Sequence, residues 1–237
     1  MYDIDYDEIK TECVYSCREY SIRHFRGEIG DFEFQDSEFE LCYDSENGIY
    51  LHYIGKGKDI VLPEGCTSCR YLFSECNLKE LDLTKFTTEG VDDMCGMFCD
   101  CSNLVKLNLS DFDTSRVTIM KDMFAGCESL NDLDISNFCT DNLLCVESMF
   151  YGCKKLKSLD LSCFNLSKVT DLCYLCTDCA GLISLDISNL DFNKIGHVDD
   201  MIYGCESLRY INAPRYVHSD IAEGLSNLVK FGNIKFA

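Results

Sequence analysis

Eighteen cysteines in a chain of 237 residues put thiol chemistry first among the reactions this sequence could support. Two spacings, Cys66-x-x-Cys69 and Cys173-x-x-Cys176-x-x-Cys179, resemble zinc or iron–sulfur ligand runs. Other cysteines fall into a register: Cys101, Cys127, Cys153, Cys179 and Cys205 recur every 26 residues. In that register Cys69, Cys176 and Cys179 point into a core, whereas a closed metal site needs four converging ligands. We therefore expect no metal and no cofactor. Neighbours in such a column would lie ~4.8 Å apart, within disulfide Cα range, but with parallel Cβ vectors that make cross-links geometrically poor. Core packing of a small apolar thiol is the expected role. Cys95 and Cys173 differ, because they share a column with Arg70, Lys121, Glu147 and Asp199. That column predicts an exposed face and makes these two the candidate reactive thiols.

A second column carries acid: Asp82, Asn108, Asp134, Asp160, Asp186 and Asn212. Carboxylates stacked at strand spacing repel unless they are hydrogen-bonded, protonated or bridged by a cation. Weak calcium binding or an acidic recognition strip is one reading. The favoured one is that each Asp accepts hydrogen bonds from the Ser-x-Phe turn that follows it, since no loop has an ordered calcium-ligand spacing. Beside it runs a varied column of Glu80, Lys106, Asp132, Ser158, Ser184 and Tyr210. Varied side chains on an invariant frame suit recognition of one partner. The candidate partner-binding residues are thus Lys106, Asp132, Asp134, Asp160, Asp186 and Tyr210. The four histidines, His24, His52, His197 and His218, do not recur, and no G-x-S-x-G, phosphate loop or H-E-x-x-H is present. No catalytic residue is assigned, and the expected class is not an enzyme.

The elements that position these columns follow from the same period. The leading leucine stands at 78, 104, 130, 156, 182 and 208, which is the signature of a solenoid whose units bury their apolar faces against one another. Pairs such as Leu107/Leu109, Leu133/Ile135 and Leu159/Leu161 read as short strands. Val117, Met120, Met123/Phe124 and Cys127 follow at helical spacing. The predicted fold is therefore α/β, with parallel strands on one face and short helices on the other. Residues 1–62 form a mostly β N-terminal capping region and residues 63–237 the solenoid. Within the cap, Ile9, Cys13, Cys17 and Tyr20 could stripe a short helix. Phe32/Phe34, Phe39–Tyr43, Ile49–Ile54 and Ile60–Pro63 read as strands, with a turn at Asn47-Gly48. Phe73 and Cys76 sit one place late relative to Leu78, so the first repeat has lost a residue. Leu225…Leu228…Phe231 echoes the pattern 20 residues after Leu208 as a shortened closing repeat.

The unit Val117-Thr-Ile-Met120-Lys-Asp-Met123-Phe124-Ala-Gly126-Cys127-Glu-Ser-Leu130-Asn-Asp-Leu133-Asp-Ile135-Ser-Asn-Phe138 resembles the BspA-like leucine-rich repeat. It is most similar to the subfamily with a V-T-x-M-x-x-M-F-x-G-C-x-x-L-x-x-L-D-L-S-x-F unit, and Tyr53–Gly65 resembles the first strand of such proteins. The resemblance covers roughly residues 53–237. It implies a leucine-rich-repeat fold and a binding role, often in adhesion at a cell surface, and brings no catalytic residues with it.

The formal charge of −20 argues against nucleic acid, whose binding relies on clustered Lys and Arg. It suggests instead a basic protein partner. No apolar run reaches membrane-span length. The first residues lack the basic-then-apolar pattern of a secretory signal, so the sequence reads as cytoplasmic, while the resemblance implies the cell surface or secretion. The leading expectation is a non-enzymatic protein-binding module that works through its strand face. The alternative is a redox-responsive or metal-binding protein using Cys66, Cys69, Cys95, Cys173 and Cys176. A self-associating structural solenoid is the third.

Overall fold

The 26-residue period becomes a stack of coils in the computed structural model, which describes residues 15–16, 39–44, 48–53, 55, 60, 66–83, 86–214 and 234–236. Three antiparallel strands precede the stack: β1 (Tyr15–Ser16), β2 (Phe39–Asp44) and β3 (Gly48–Tyr53), with Phe39 opposite Tyr53 and Asp44 opposite Gly48. Tyr15–Ser16 lies inside the stretch whose spacing suggested a helix. The open edge of β2 offers it backbone partners, whereas an isolated short helix is marginal in water. Tyr53 then docks on the first coil. Its N–H donates to the Leu72 carbonyl at 2.7 Å, and its ring meets Phe73 edge-on at 5.3 Å. Ile60 is also buried. The remaining expectations for the cap, at residues 9, 13, 17, 20, 32, 34, 47 and 61–63, lie outside the described residues.

One side of every coil but one, among the described residues, is a very short strand. β4 (Glu80–Leu81) pairs in parallel with β5 (Lys106–Leu107). A second parallel sheet contains β6 (Ser158–Asp160), β7 (Ser184–Asp186), β8 (Tyr210–Ala213) and β9 (Ile234–Phe236). Alternation buries Leu159, Leu185 and Ile211 in one in-register row. The strand expected at Leu133/Ile135 is not formed, so the sheet is interrupted there, although Ile135 stays buried. Asn131-Asp132-Leu133-Asp134 carries Asn or Asp, the more strongly strand-disfavouring types, at three of four places, more than its counterparts. At the far end Ile234, rather than Phe231, pairs with Ile211. The closing strand therefore comes three residues later than the leucine echo placed it.

The opposite side contains no helix among the described residues, which corrects the α/β expectation. Two left-handed residues per coil forbid one. Gly96, Asp122, Ser148, Tyr174 and Asp200 form one positive-φ column, and Asp100, Gly126, Gly152, Asp178 and Gly204 form another. With two left-handed residues four places apart on each coil, the backbone there runs as successive tight turns whose N–H groups alternate in direction. Met97, Cys99 and Cys101 donate three residues back, to Met94, Gly96 and Phe98. Met94, Gly96, Phe98 and Asp100 donate across to Ile119, Lys121, Met123 and Ala125 of the next coil. Every second N–H thus joins a ladder between coils, which gives the stretch the apolar spacing of a helix without its hydrogen bonds.

The columns between the two faces fill the core as their spacing requires. Phe73, Phe98, Phe124 and Phe150 stack with centroids 5.5, 5.5 and 5.7 Å apart and planes within 8°. The thiols of Cys101, Cys127, Cys153, Cys179 and Cys205 are buried and donate to the carbonyls of Phe73, Phe98, Phe124, Phe150 and Cys176, at 2.9–3.2 Å. Cys101 reaches back 28 residues and the others 29, which places the lost residue of the first repeat. No disulfide forms among the described cysteines.

Candidate interaction surface

The strand face carries the six candidate partner-binding residues on successive coils. In-register pairing puts Ser158, Ser184 and Tyr210 in one outward row and Asp160, Asp186 and Asn212 in the next. Lys106 on β5 stands opposite Glu80. Asp132 and Asp134 hold the matching places on the coil that lacks a strand. Tyr210 is the large apolar side chain of this face, with 54% of its surface exposed.

Local hydrogen bonding accounts for much of the acid. Oδ1 of Asp134 accepts from the N–H and hydroxyl of Ser136, at 3.0 and 2.6 Å, and Asp186 does the same with Ser188. Asp160 accepts from the Ser162 N–H, and Asn108 from that of Ser110. These side chains close the turn after the strand. Hydrogen bonds from Ser136 hold the Asp134 carboxyl below its ordinary range. In Asp186, partial burial opposes hydrogen bonds from Ser188 and Asn212, and the net direction is also down. Asp134 and Asp160 therefore close their turns through one oxygen, whereas Asp186 uses both, one for Ser188 and the other for Asn212. Lys106 lies 2.8 Å from Glu80, with both side chains largely exposed, a pairing that adds little stability. Asp132, Ser158 and Tyr210 are exposed side chains of the face with no structural bond of this kind.

The candidate thiols move the other way. Cys95 exposes 3% of its surface and Cys173 9%, which corrects the expectation that both are exposed. Cys95 lies under Tyr71, with its sulfur 4.0 Å from the phenol oxygen, and Cys173 lies under Asp199, 3.7 Å from its carboxylate. A short side chain in a column of long ones is roofed by its neighbours. Burial, first of all, pushes the thiols up to about 11 and about 12, so neither is a thiolate at neutral pH. Among the cysteines whose side chains the structure describes, the exposed ones are Cys139 and Cys163. Alkylation of the native protein at pH 8, read by peptide mass mapping, should label Cys139 and Cys163 while Cys95 and Cys173 stay unmodified. Rapid labelling of the latter pair would contradict the packing. Cys66, Cys69, Cys176 and Cys179 of the ligand-like spacings are all buried. No group of three or more His, Cys, Asp or Glu converges among the described residues, and no helix there is long and apolar enough to cross a membrane.

Two features away from the strand face were not singled out from the sequence. Thr88, Thr114 and Thr140 are buried at the 26-residue interval. Thr88 and Thr114 each donate to a carbonyl of the next coil and accept the N–H of the same residue, Asp113 or Cys139. Their spacing was visible in the sequence. The second feature is a cleft of about 330 Å³ bordered by Asp100, Gly126, Glu128, Tyr151, Gly152 and Asp178. Its sequence trace is a column of Asp and Gly: Asp100, Gly126, Gly152, Asp178 and Gly204.

The profile of a family described as "Mycoplasma protein of unknown function, DUF285" matches residues 67–184 and, overlapping them, 159–219. No curated protein and no solved structure matches the chain.

Proposed function

We propose, on the premise that this chain belongs to the DUF285 family, that it is a non-enzymatic protein-binding module built from BspA-like leucine-rich units, and that it recognises a basic partner through its strand face. One observation carries the reading. The outward row Ser158, Ser184, Tyr210 is in register and stands beside an acidic row whose turns are already closed by its own side chains. The frame is thus satisfied internally, and the varied positions are left to make contacts. Tyrosine at an exposed position gives large contact area at low entropic cost. The net charge of −20 favours encounter with a cationic surface. An adhesion-type role at a cell surface fits the same chemistry.

The test is binding of the partner by the native protein and by surface variants at Lys106, Asp132 and Tyr210. Tyr210→Ser is expected to weaken binding about 30-fold, as loss of a central aromatic contact of ~2 kcal/mol does. Asp132→Lys should slow association and flatten its salt dependence. Unchanged affinity in both variants, and in Lys106→Glu, would move the site off this face.

A further inference from the structure

We propose that the solenoid carries a hinge that opens its strand face between the coil led by Leu130 and the coil led by Leu156. On the strand side, parallel pairing joins the coils led by Leu78 and Leu104, and then those led by Leu156, Leu182 and Leu208. Among the described residues, no backbone hydrogen bond joins residues 130–135 to 104–109 or to 156–161. Leu107 and Leu133, beside this break, are only partly buried, whereas Leu81, Leu159, Leu185 and Ile211 of the same row are buried. A side-chain clamp distinguishes the two unpaired interfaces. At the corner after the strand, Nδ2 of Asn137 donates to the carbonyls of Leu109 and Ser110 on the preceding coil, at 2.9 and 3.2 Å. Asn189 does the same to Phe164 at 2.6 Å. The residue between them in the 26-residue register is Cys163, whose thiol is a weak donor and makes no such bond to its preceding coil. The interface between the coils led by Leu130 and Leu156 thus lacks both the strand bonds and the clamp. Every other interface from the Leu78 coil to the Leu208 coil keeps at least one of the two.

Away from the strands the same interface is held continuously. Met120, Asp122, Phe124 and Gly126 donate to Cys145, Glu147, Met149 and Tyr151 at 2.7–3.0 Å, and Phe124 stacks on Phe150. The Asn165 N–H donates to the Thr140 hydroxyl at 2.7 Å. Before the strand only the Lys154–Glu128 pair spans the gap, about half exposed on both sides, and such a pair resists opening weakly. An interface bonded along one side and unbonded along the other bends about the bonded side. The turn ladder is therefore the axis, and the motion widens or narrows the gap between Asp132–Asp134 and Ser158–Asp160. Lys106 and Asp132 stand on one side of the hinge, and Asp160, Asp186 and Tyr210 on the other. A partner that touches both parts selects one curvature of the face. That use rests on the strand-face reading given above, whereas the motion itself does not.

The test is methyl relaxation-dispersion NMR on the whole protein with labelled leucine methyls, which reads the microsecond-to-millisecond range of hinge motions. Dispersion is expected at Leu133 and Leu159, which face each other across the gap, with flat profiles at Leu185 inside the paired sheet. Cys163→Asn supplies the missing donor at an exposed position. It should lower the population of the open form about fivefold, as one net hydrogen bond does. Asn137→Ala, also at an exposed position, removes the clamp from the other unpaired interface and should spread dispersion to Leu107. Flat profiles at Leu133 and Leu159 in the native protein, or dispersion unchanged by Cys163→Asn, would overturn the proposal. The native profiles decide whatever the variants do. The measurement needs no partner, so its failure and a failure of the strand-face reading are told apart.

Discussion

Phe124→Ala should destabilise the protein by about 3–5 kcal/mol and lower its Tm by on the order of 10 °C. Phe124 is fully buried and lies between Phe98 and Phe150, at 5.5 and 5.7 Å with planes nearly parallel. Its removal takes a face from two neighbouring rings at once and leaves a cavity in the middle of the stack. A solenoid holds each unit through its neighbours, so loss of one interface also weakens the coupling between the coils on either side. Urea unfolding followed by circular dichroism should show a lower midpoint and a broadened or split transition. A loss below about 1 kcal/mol would mean that the stack does not bear on stability.

Gly126→Ala is expected to cost more than Gly152→Ala, although both positions are left-handed glycines of one column. Forcing an L-residue into that conformation costs about 1–2 kcal/mol at either site. At Gly152, φ +67°, the added methyl would meet only Gly126, at 3.8 Å. At Gly126, φ +71°, it would run into the Asp100 carboxylate of the preceding coil. The excess should therefore disappear when Asp100→Gly is added, so that the double variant resembles Gly152→Ala. A double-mutant cycle by chemical denaturation measures that coupling. Equal costs at the two glycines would show that Asp100 does not fold over its neighbour, and the boundary of the cleft would fall with it.

What the sequence made legible was whatever repeats. The inward rows from Leu81 to Ile211, the phenylalanine and cysteine columns and the early slip before Leu78 could all be read, because a fixed interval records burial on every coil. The turn closure by Asp134, Asp160 and Asp186 was legible too, since Asp followed two places later by Ser has a local hydrogen-bonding reason. The helices were misread because apolar spacing reports which side chains face inward and not how the backbone N–H groups are satisfied. Gly126 and Gly152 carried the missing information. Each stands four places before a leading leucine, where glycine is a poor helix residue and a good left-handed one, and Asp100 and Asp178 share the column. Cys95 and Cys173 were misplaced for a related reason: a column of long polar residues marks an exposed position only for side chains long enough to reach past their neighbours. The missing strand at Leu133 has a compositional trace in Asn131, Asp132 and Asp134, visible only once the backbone ladder is known to stop there.

Recognition through the strand face is tested most directly by site-specific photo-crosslinking in an extract of the source cells. A benzophenone side chain would replace Tyr210 on the strand face in one preparation and Ser167, an exposed position between the two faces, in another. The reading given above expects a discrete protein adduct from position 210, none from position 167, and loss of the adduct when Asp132→Lys is added. Adducts of equal yield from both positions, or none from position 210 at any salt concentration, would contradict it.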